Sequence, residues 1–383
     1  MKRIIALACT ALIAVGTPAL AITVTEPDNL GSYATWDFTT PDVQPTGLSN
    51  HTSGAEGTFK FNVLNAPDGT FKIVKTNEDF QEMSVETSEE EYFSAQSPFG
   101  TTFGPSGPSS NVTFLKVRLD GTAGTATTTF TFNSAMPANV FGAAFNDLDF
   151  DNLTLTATNR DGSDVSGADL NGATFNMCEV TDSIPAMCAG ATLFTPTWDA
   201  TAKKFISNDD DSDGAAGTIT PASSIKSITT LHETGSPNSS VRTWFAVKSA
   251  TVCGKVKGLA GSTASLTLHY GKSKLASTTT GEGGSYCFPK ALAVKGYSVT
   301  LKAPKGKSTV GASTAAVTLA KGNATKNFTV AATASNTTAT TNPGDNLPTT
   351  GPNSGSTTAL VAALVLMCGA AMITASRLRQ SRR

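Results

Sequence analysis

Between residues 22 and 250 the chain never sustains a helical apolar period. It alternates instead, in short runs rich in Thr, Val and Phe: Gly57-Thr58-Phe59-Lys60-Phe61-Asn62-Val63, Thr70-Phe71-Lys72-Ile73-Val74, Asn111 to Leu119, Thr127 to Phe132, Asn152 to Thr158, and Thr243-Trp244-Phe245-Ala246-Val247. Successive strand residues face opposite sides, so a period of two predicts strands with one buried face. Asp68-Gly69, Asp120-Gly121 and Asp161-Gly162 supply turn chemistry between runs. The expectation is an all-β chain that opens with an antiparallel β-sandwich of jelly-roll or immunoglobulin-like kind. Its strand order is not readable from the pattern.

Charge divides the chain. Residues 22–250 carry 28 acids against 11 Lys and Arg, a balance of −17, whereas residues 251–330 carry one acid, Glu282, against 11 lysines, a balance of +10. A sign change of that size predicts a boundary between folding units, an acidic β-sandwich over 22–250 and a basic unit over 251–330. Within the acidic part, Glu86 to Glu91 and the Gly/Pro/Ser-rich stretch to Ser110 read as a long loop on the sandwich. Such loops often build binding sites, although a solvated charged loop is the plainer reading. The segment Asn139 to Phe145, running into Asn146-Asp147, is loosely similar to secreted bacterial β-sandwich domains, without a motif that names one.

The basic unit has its own strand sequence: Val252-Cys253-Gly254-Lys255-Val256, Ala264 to Tyr270, Gly283-Gly284-Ser285-Tyr286-Cys287-Phe288, Gly296 to Leu301, Ala315 to Leu319, and Lys326-Asn327-Phe328-Thr329-Val330. This order resembles the carboxypeptidase regulatory-like, transthyretin-type β-sandwich and the related B-type repeats of Gram-positive adhesins. The resemblance covers about 80 residues and implies a second, smaller sandwich. Many B-type repeats close a Lys–Asn isopeptide bond beside a buried Glu. Here Leu301 stands where the resemblance would put that acid, so Lys257 and Asn327 lack a proton shuttle. No isopeptide bond is expected, and intact mass showing loss of one ammonia would contradict this.

Both ends carry processing signals. Lys2 and Arg3, an apolar core from Ile4 to about Val15, and Ala19-Leu20-Ala21 form a secretory signal over residues 1–21. At the other end, residues 331–346 have no apolar period and read as a Thr-rich spacer crossing the wall. Then come Leu347-Pro348-Thr349-Thr350-Gly351, an apolar run of about 18 residues to Ala375, and Arg377, Arg379, Arg382 and Arg383 without an acid. That run is just long enough to cross a bilayer, and the arginines hold its far end in the cytoplasm. The whole of residues 347–383 resembles the L-P-x-T-G sorting signal of Gram-positive cell-wall proteins, with a C-terminal transmembrane helix. The resemblance implies a sortase that cuts between Thr350 and Gly351 and joins the Thr350 carbonyl to peptidoglycan.

Processing also sorts the cysteines. Cys9 and Cys368 leave with the two ends, and Cys178, Cys188, Cys253 and Cys287 remain. An even count in an exported chain predicts disulfides, paired by proximity as Cys178–Cys188 and Cys253–Cys287. Loop-closure entropy gives them about 3 and about 4 kcal/mol. Metal ligation is the weaker alternative, since neither pair has CxxC spacing and histidine is scarce.

Two acidic clusters invite calcium. Asp209, Asp211 and Asp213 occupy positions 1, 3 and 5 of a loop with Gly214 at 6, but Thr220 stands where an EF-hand has its bidentate Glu. Asp147, Asp149 and Asp151 alternate, so a continuous strand would gather three carboxylates on one side. They equally suit a strand end opening into a loop. Catalysis finds less support: His51, His232 and His269 are scattered, and no G-x-S-x-G, H-E-x-x-H or phosphate loop is present. The sequence therefore predicts a secreted, wall-anchored surface protein, with sortase and peptidoglycan as processing partners and no nucleic-acid partner. The expected function is that of an adhesin or surface interaction protein, not an enzyme, whose residues 22–250 bind an unknown extracellular ligand. A carbohydrate-binding or hydrolytic protein and a purely structural wall component are the alternatives.

Overall fold

The computed structural model describes residues 31–39, 54–75, 80–87, 93–106, 112–119, 124–179, 188, 192–208, 212–236 and 239–334. The first part runs β1 (Gly31–Phe38), β2 (Ala55–Phe61), β3 (Gly69–Lys75), β4 (Phe80–Thr87), α1 (Pro98–Phe103), β5 (Thr113–Leu119), β6 (Thr125–Met136), β7 (Phe141–Asn146) and β8 (Asp151–Thr158). It continues with α2 (Gly167–Leu170), β9 (Gly172–Asn176), β10 (Thr197–Asp199), β11 (Lys204–Ile206), β12 (Ala215–Ile219), β13 (Ile225–Thr234) and β14 (Ser240–Ala250). The fold is all-β, as the alternation predicts.

Two antiparallel sheets face each other. The first has the order β10-β11-β8-β13-β6-β3-β2-β1, and the second β1-β14-β7-β12-β9, with β5 sharing an edge of β14 and β4 beyond it. Strand β1 belongs to both. Gly31 to Tyr33 pair with β14, and Ala34 to Phe38 pair with β2. The alternation turns every second aromatic inward, so Trp36, Phe59 and Phe130 of the first sheet meet Phe245 of the second at ring separations of 5.0, 5.3 and 4.7 Å. Offset and edge-to-face rings of this kind add to the gain from burying their area.

The second sheet is also covered on its outer face. Trp244, Ala246, Ala144 and Ala216 turn outward and pack with Phe93, Phe99, Phe103 and Phe114 in a separate apolar cluster. Helix α1 is started by Ser97, whose hydroxyl accepts from Gly100 N at 3.0 Å, with Pro98 in the first turn. The stretch expected to be a loop is therefore, over residues 93–106, a packed cover with Phe93 and Phe103 fully buried. Its apolar residues are few but large, and the Gly, Ser and Pro between them hid the pattern. The acidic residues 89–91 lie outside the described residues.

The remaining strands are β15 (Val252–Lys257), β16 (Ser265–Tyr270), β17 (Ser273–Thr279), β18 (Ser285–Cys287), β19 (Ala291–Leu292), β20 (Tyr297–Lys302), β21 (Lys307–Thr309), β22 (Thr314–Val317), β23 (Ala324–Thr325) and β24 (Phe328–Ala332). They make one sheet ordered β18-β15-β24-β21, with β23 also on β15, and another ordered β17-β16-β20-β22. Val256, Leu266, Leu268, Tyr286, Val299 and Phe328 fill the space they enclose. Leu301 is buried there too, and Asn327, on the surface, accepts the Lys255 N–H at 2.9 Å.

Both strand sets lie in one compact unit that ends at Thr333. The join is more than a linker, because β19 pairs with β14 through Ser249↔Leu292 and Ala250↔Ala291. Leu64 exchanges backbone hydrogen bonds with Lys290 and Leu292, each at 2.9 Å. The described cysteines form Cys178–Cys188 and Cys253–Cys287, the pairing expected from proximity. Cys253 and Cys287 are direct partners across β15 and β18.

Candidate functional site

Strand β7 ends at Asn146 and β8 starts at Asp151, so Asp147, Asp149 and Asp151 do not share a strand. Of the two readings open for these acids, the shared strand face does not form and the strand end opening into a loop does: they ride a tight turn, with left-handed φ of 66° at Asp147 and 55° at Phe150. The turn is held by Leu148, which is fully buried and donates its N–H to Ala215 O at 3.1 Å. Plugging Leu148 into the core leaves the flanking carboxylates at the sandwich end.

Each carboxylate meets different company. Asp147 pairs with Arg242 at 2.6 Å and accepts from Ser240 Oγ at 2.5 Å. Asp151 is 1% exposed; its Oδ1 accepts from Ser239 Oγ at 2.6 Å and lies 3.1 Å from His232 Nε2, while Oδ2 has no hydrogen-bond partner among the described residues. Asp149 accepts one backbone N–H, from Ser212 at 3.2 Å. Burial pushes the Asp149 carboxyl up to about 8, and the negative charge of Asp147 adds to that push. Burial also raises Asp151, against the opposing pull of His232.

The Asp149–Ser212 bond ties the acidic turn to the last described part of the second cluster, Ser212 and Asp213. Ser212 and Asp213 close the Asp-rich loop; Asp209 and Asp211 lie outside the described residues. Gly214 follows with φ 78°, and a Cβ there would stand 2.6 Å from Cys178 Sγ. Asn176 ties the same place, donating from Nδ2 to Asp213 O at 2.8 Å and accepting the Cys178 N–H at 2.8 Å. The Cys178–Cys188 bridge thus sits against the end of the acidic loop. Among the described residues, no group of three or more His, Cys, Asp or Glu is arranged to hold a metal ion.

Ser239 and Arg242 escaped the sequence reading, and His232 stands in it only as one of three scattered histidines. They come from β13, β14 and the connection between them, some 80 to 95 residues beyond the turn they serve, and no local spacing links them to it. His232 is buried on β13 and His269 is half-exposed on β16, without a shared partner among the described residues. His51 and the sorting motif Leu347, Pro348, Thr349, Thr350 and Gly351 lie outside the described residues.

No protein-family profile matches the chain, and no curated protein sequence does. Among solved structures, the full-length major pilin SpaD from Corynebacterium diphtheriae aligns over 80% of this chain and 94% of its own, with 12% identity and a TM-score of 0.21. The glycoside hydrolase domain of Endo-D from Streptococcus pneumoniae R6 aligns over 65% of this chain and 37% of its own, with 9% identity and a TM-score of 0.25. The pilus backbone RrgB from Streptococcus pneumoniae aligns over 55% and 50%, with 13% identity and a TM-score of 0.16. Scores this low assign neither a family nor an activity.

Proposed function

We propose that the chain is a secreted surface protein of a Gram-positive bacterium, captured by a sortase and displayed on peptidoglycan. The observation that carries this is the order at the C-terminus: Leu347-Pro348-Thr349-Thr350-Gly351, an apolar run of bilayer length, then four arginines. In the proposed reaction the sortase thiolate attacks the Thr350 carbonyl and the Gly351 amine leaves. A peptidoglycan amine then displaces the thiolate, so one amide is broken and one made. Two disulfides in the described residues suit an oxidising, extracellular setting. The sandwich of residues 22–250 is the display unit, acting as an adhesin without catalysis. The basic unit of residues 251–330, transthyretin-like in this reading, stands nearest the wall.

Mass spectrometry of muramidase-released protein tests the anchor. In a wild-type strain the C-terminal peptide should end at Thr350 and carry a murein stem. A peptide running on to Arg383, or identical wall linkage in a strain without sortase, contradicts the proposal.

The acidic turn supports a second, narrower reading: calcium at the sandwich end, with Asp147, Asp149 and Asp151 joined by Asp209, Asp211 and Asp213. It is favoured by the Asp149–Ser212 bond, which holds the turn to Ser212 just after Asp211 in sequence, and by an Asp151 Oδ2 that has no hydrogen-bond partner among the described residues. Hard carboxylate and carbonyl oxygens are what Ca²⁺ selects. Calorimetric titration of the chain with Ca²⁺ should show binding that D149N abolishes; no heat and no thermal shift would remove this reading.

A further inference from the structure

Beside the β14–β19 pairing lies a cleft of ≈ 730 Å³ whose walls come from both strand sets. Asn139, Val140 and Lys248 contribute from one, Tyr270, Val294 and Lys295 from the other, and no Asp or Glu lines it among the described residues. Lys248 belongs to the sandwich whose residues sum to −17 and Lys295 to the set that sums to +10, so at the cleft a lysine of the acidic part stands with one of the basic part. Lys248 is fixed in place by its backbone: its N–H donates to Val140 O at 2.7 Å, and its carbonyl accepts from Ala293 N at 3.0 Å. Its ammonium stands 6.0 Å from the centre of the Phe103 ring. Partial burial lowers its pKa, with no carboxylate contributing to the shift. A cation that has lost water, with no counter-ion among the described residues, gains from an incoming anion.

The rest of the cleft wants something larger than an ion. Tyr270 packs on Tyr297 with ring centres 5.2 Å apart. Gly296 lies close under the Tyr270 ring, where a Cβ would come within 3.3 Å of it. The ring is thus supported by Tyr297 and Gly296, and it lines the cleft together with the apolar Val140 and Val294. Asn139, in left-handed conformation at φ 63°, brings a carboxamide to the rim. Cations, an amide and an aromatic face are the set that recognises a charged sugar.

We propose that this cleft binds an acidic saccharide, with its carboxylate or phosphate on Lys248 and Lys295 and its ring against Tyr270. The site stands on the cleft's own residues and does not depend on wall anchoring. Both oxyanions share this chemistry, so the test uses two probes: an oligosaccharide of glucuronic acid and N-acetylglucosamine, and an oligomer of glycerol phosphate. A neutral N-acetylglucosamine oligomer of equal length is the control.

Isothermal titration of the full chain, kept soluble in a mild non-ionic detergent, should show at least one acidic probe binding, with affinity that falls as salt rises, while the neutral oligomer gives no heat. The charged probe that binds identifies the oxyanion. K248Q/K295Q should lower that affinity at least about tenfold, as loss of charge-assisted hydrogen bonds requires. Silence from both acidic probes, equal binding of the neutral oligomer, or undiminished binding by the double variant overturns the proposal. Should the double variant fail to fold, amine acylation of the unaltered chain decides. The binding probe should slow modification of Lys248, read by peptide mass, and an unchanged rate overturns the proposal.

Discussion

Asp149 is pushed up to about 8 by burial and by Asp147, and Asp151 moves in the same direction. In the unfolded chain both return to about 4. Between about pH 4 and pH 8 folded Asp149 thus keeps a proton that the unfolded chain has released, and the rise at Asp151 acts in the same direction. The Asp149 contribution is full below about pH 4, falls as pH rises by about 1.4 kcal/mol per pH unit, and levels off above about pH 8. The melting temperature should therefore drop between pH 5 and pH 8 in calcium-free buffer. D149N should flatten that profile, and a melting temperature that climbs over the range would contradict the assignment. At this scale the sequence displayed the acids and Gly214. It could not display Arg242, Ser239 and His232, because only the pairing of β13 with β8 and of β14 with β7 carries them to the turn.

Among elements, β7 shows best how the alternation informs and where it fails. Runs with one wet face, such as β6 with Thr between Phe130 and Phe132, announce themselves. Strand β7, Phe141-Gly142-Ala143-Ala144-Phe145-Asn146, is buried throughout, so no polar beat marks its outer face. Small residues there are a packing requirement: a Cβ on Gly142 would lie 2.3 Å from a Phe103 ring carbon. Urea unfolding of G142V should show a loss of about 1–3 kcal/mol from overpacking. Trp244→Ala, which empties the middle of the outer cluster, should cost about 3–5 kcal/mol. Near-zero effects would mean that residues 93–106 do not cover this sheet in solution.

For the whole molecule, the charge boundary near residue 250 pointed to separable units, whereas β14 and Leu64 stitch the strand sets together through β19 and Lys290. A fragment of residues 251–333 should accordingly melt below the intact chain, because Ala291 and Leu292 lose their partners. Equal melting temperatures would show that the stitching contributes nothing. C253S/C287S should lower stability by about 4 kcal/mol, the loop-closure value for a bridge spanning 34 residues, read from chemical denaturation. The six expected strands of the basic unit were legible because each keeps one wet face. The seam was not, since β19 has two residues and Leu64 sits outside any strand.

Strand β1 carries a temporal implication. It must find β14, and the Ser32–Ser249 contact at 3.2 Å bridges 217 positions of sequence. Pairings that distant form late, after much loop closure. A chain emerging through a translocation pore amino end first would thus hold its opening segment unmatched until most of the polypeptide had crossed. Under the export proposed above, β1 would therefore reach its final partner only after most of the chain had crossed.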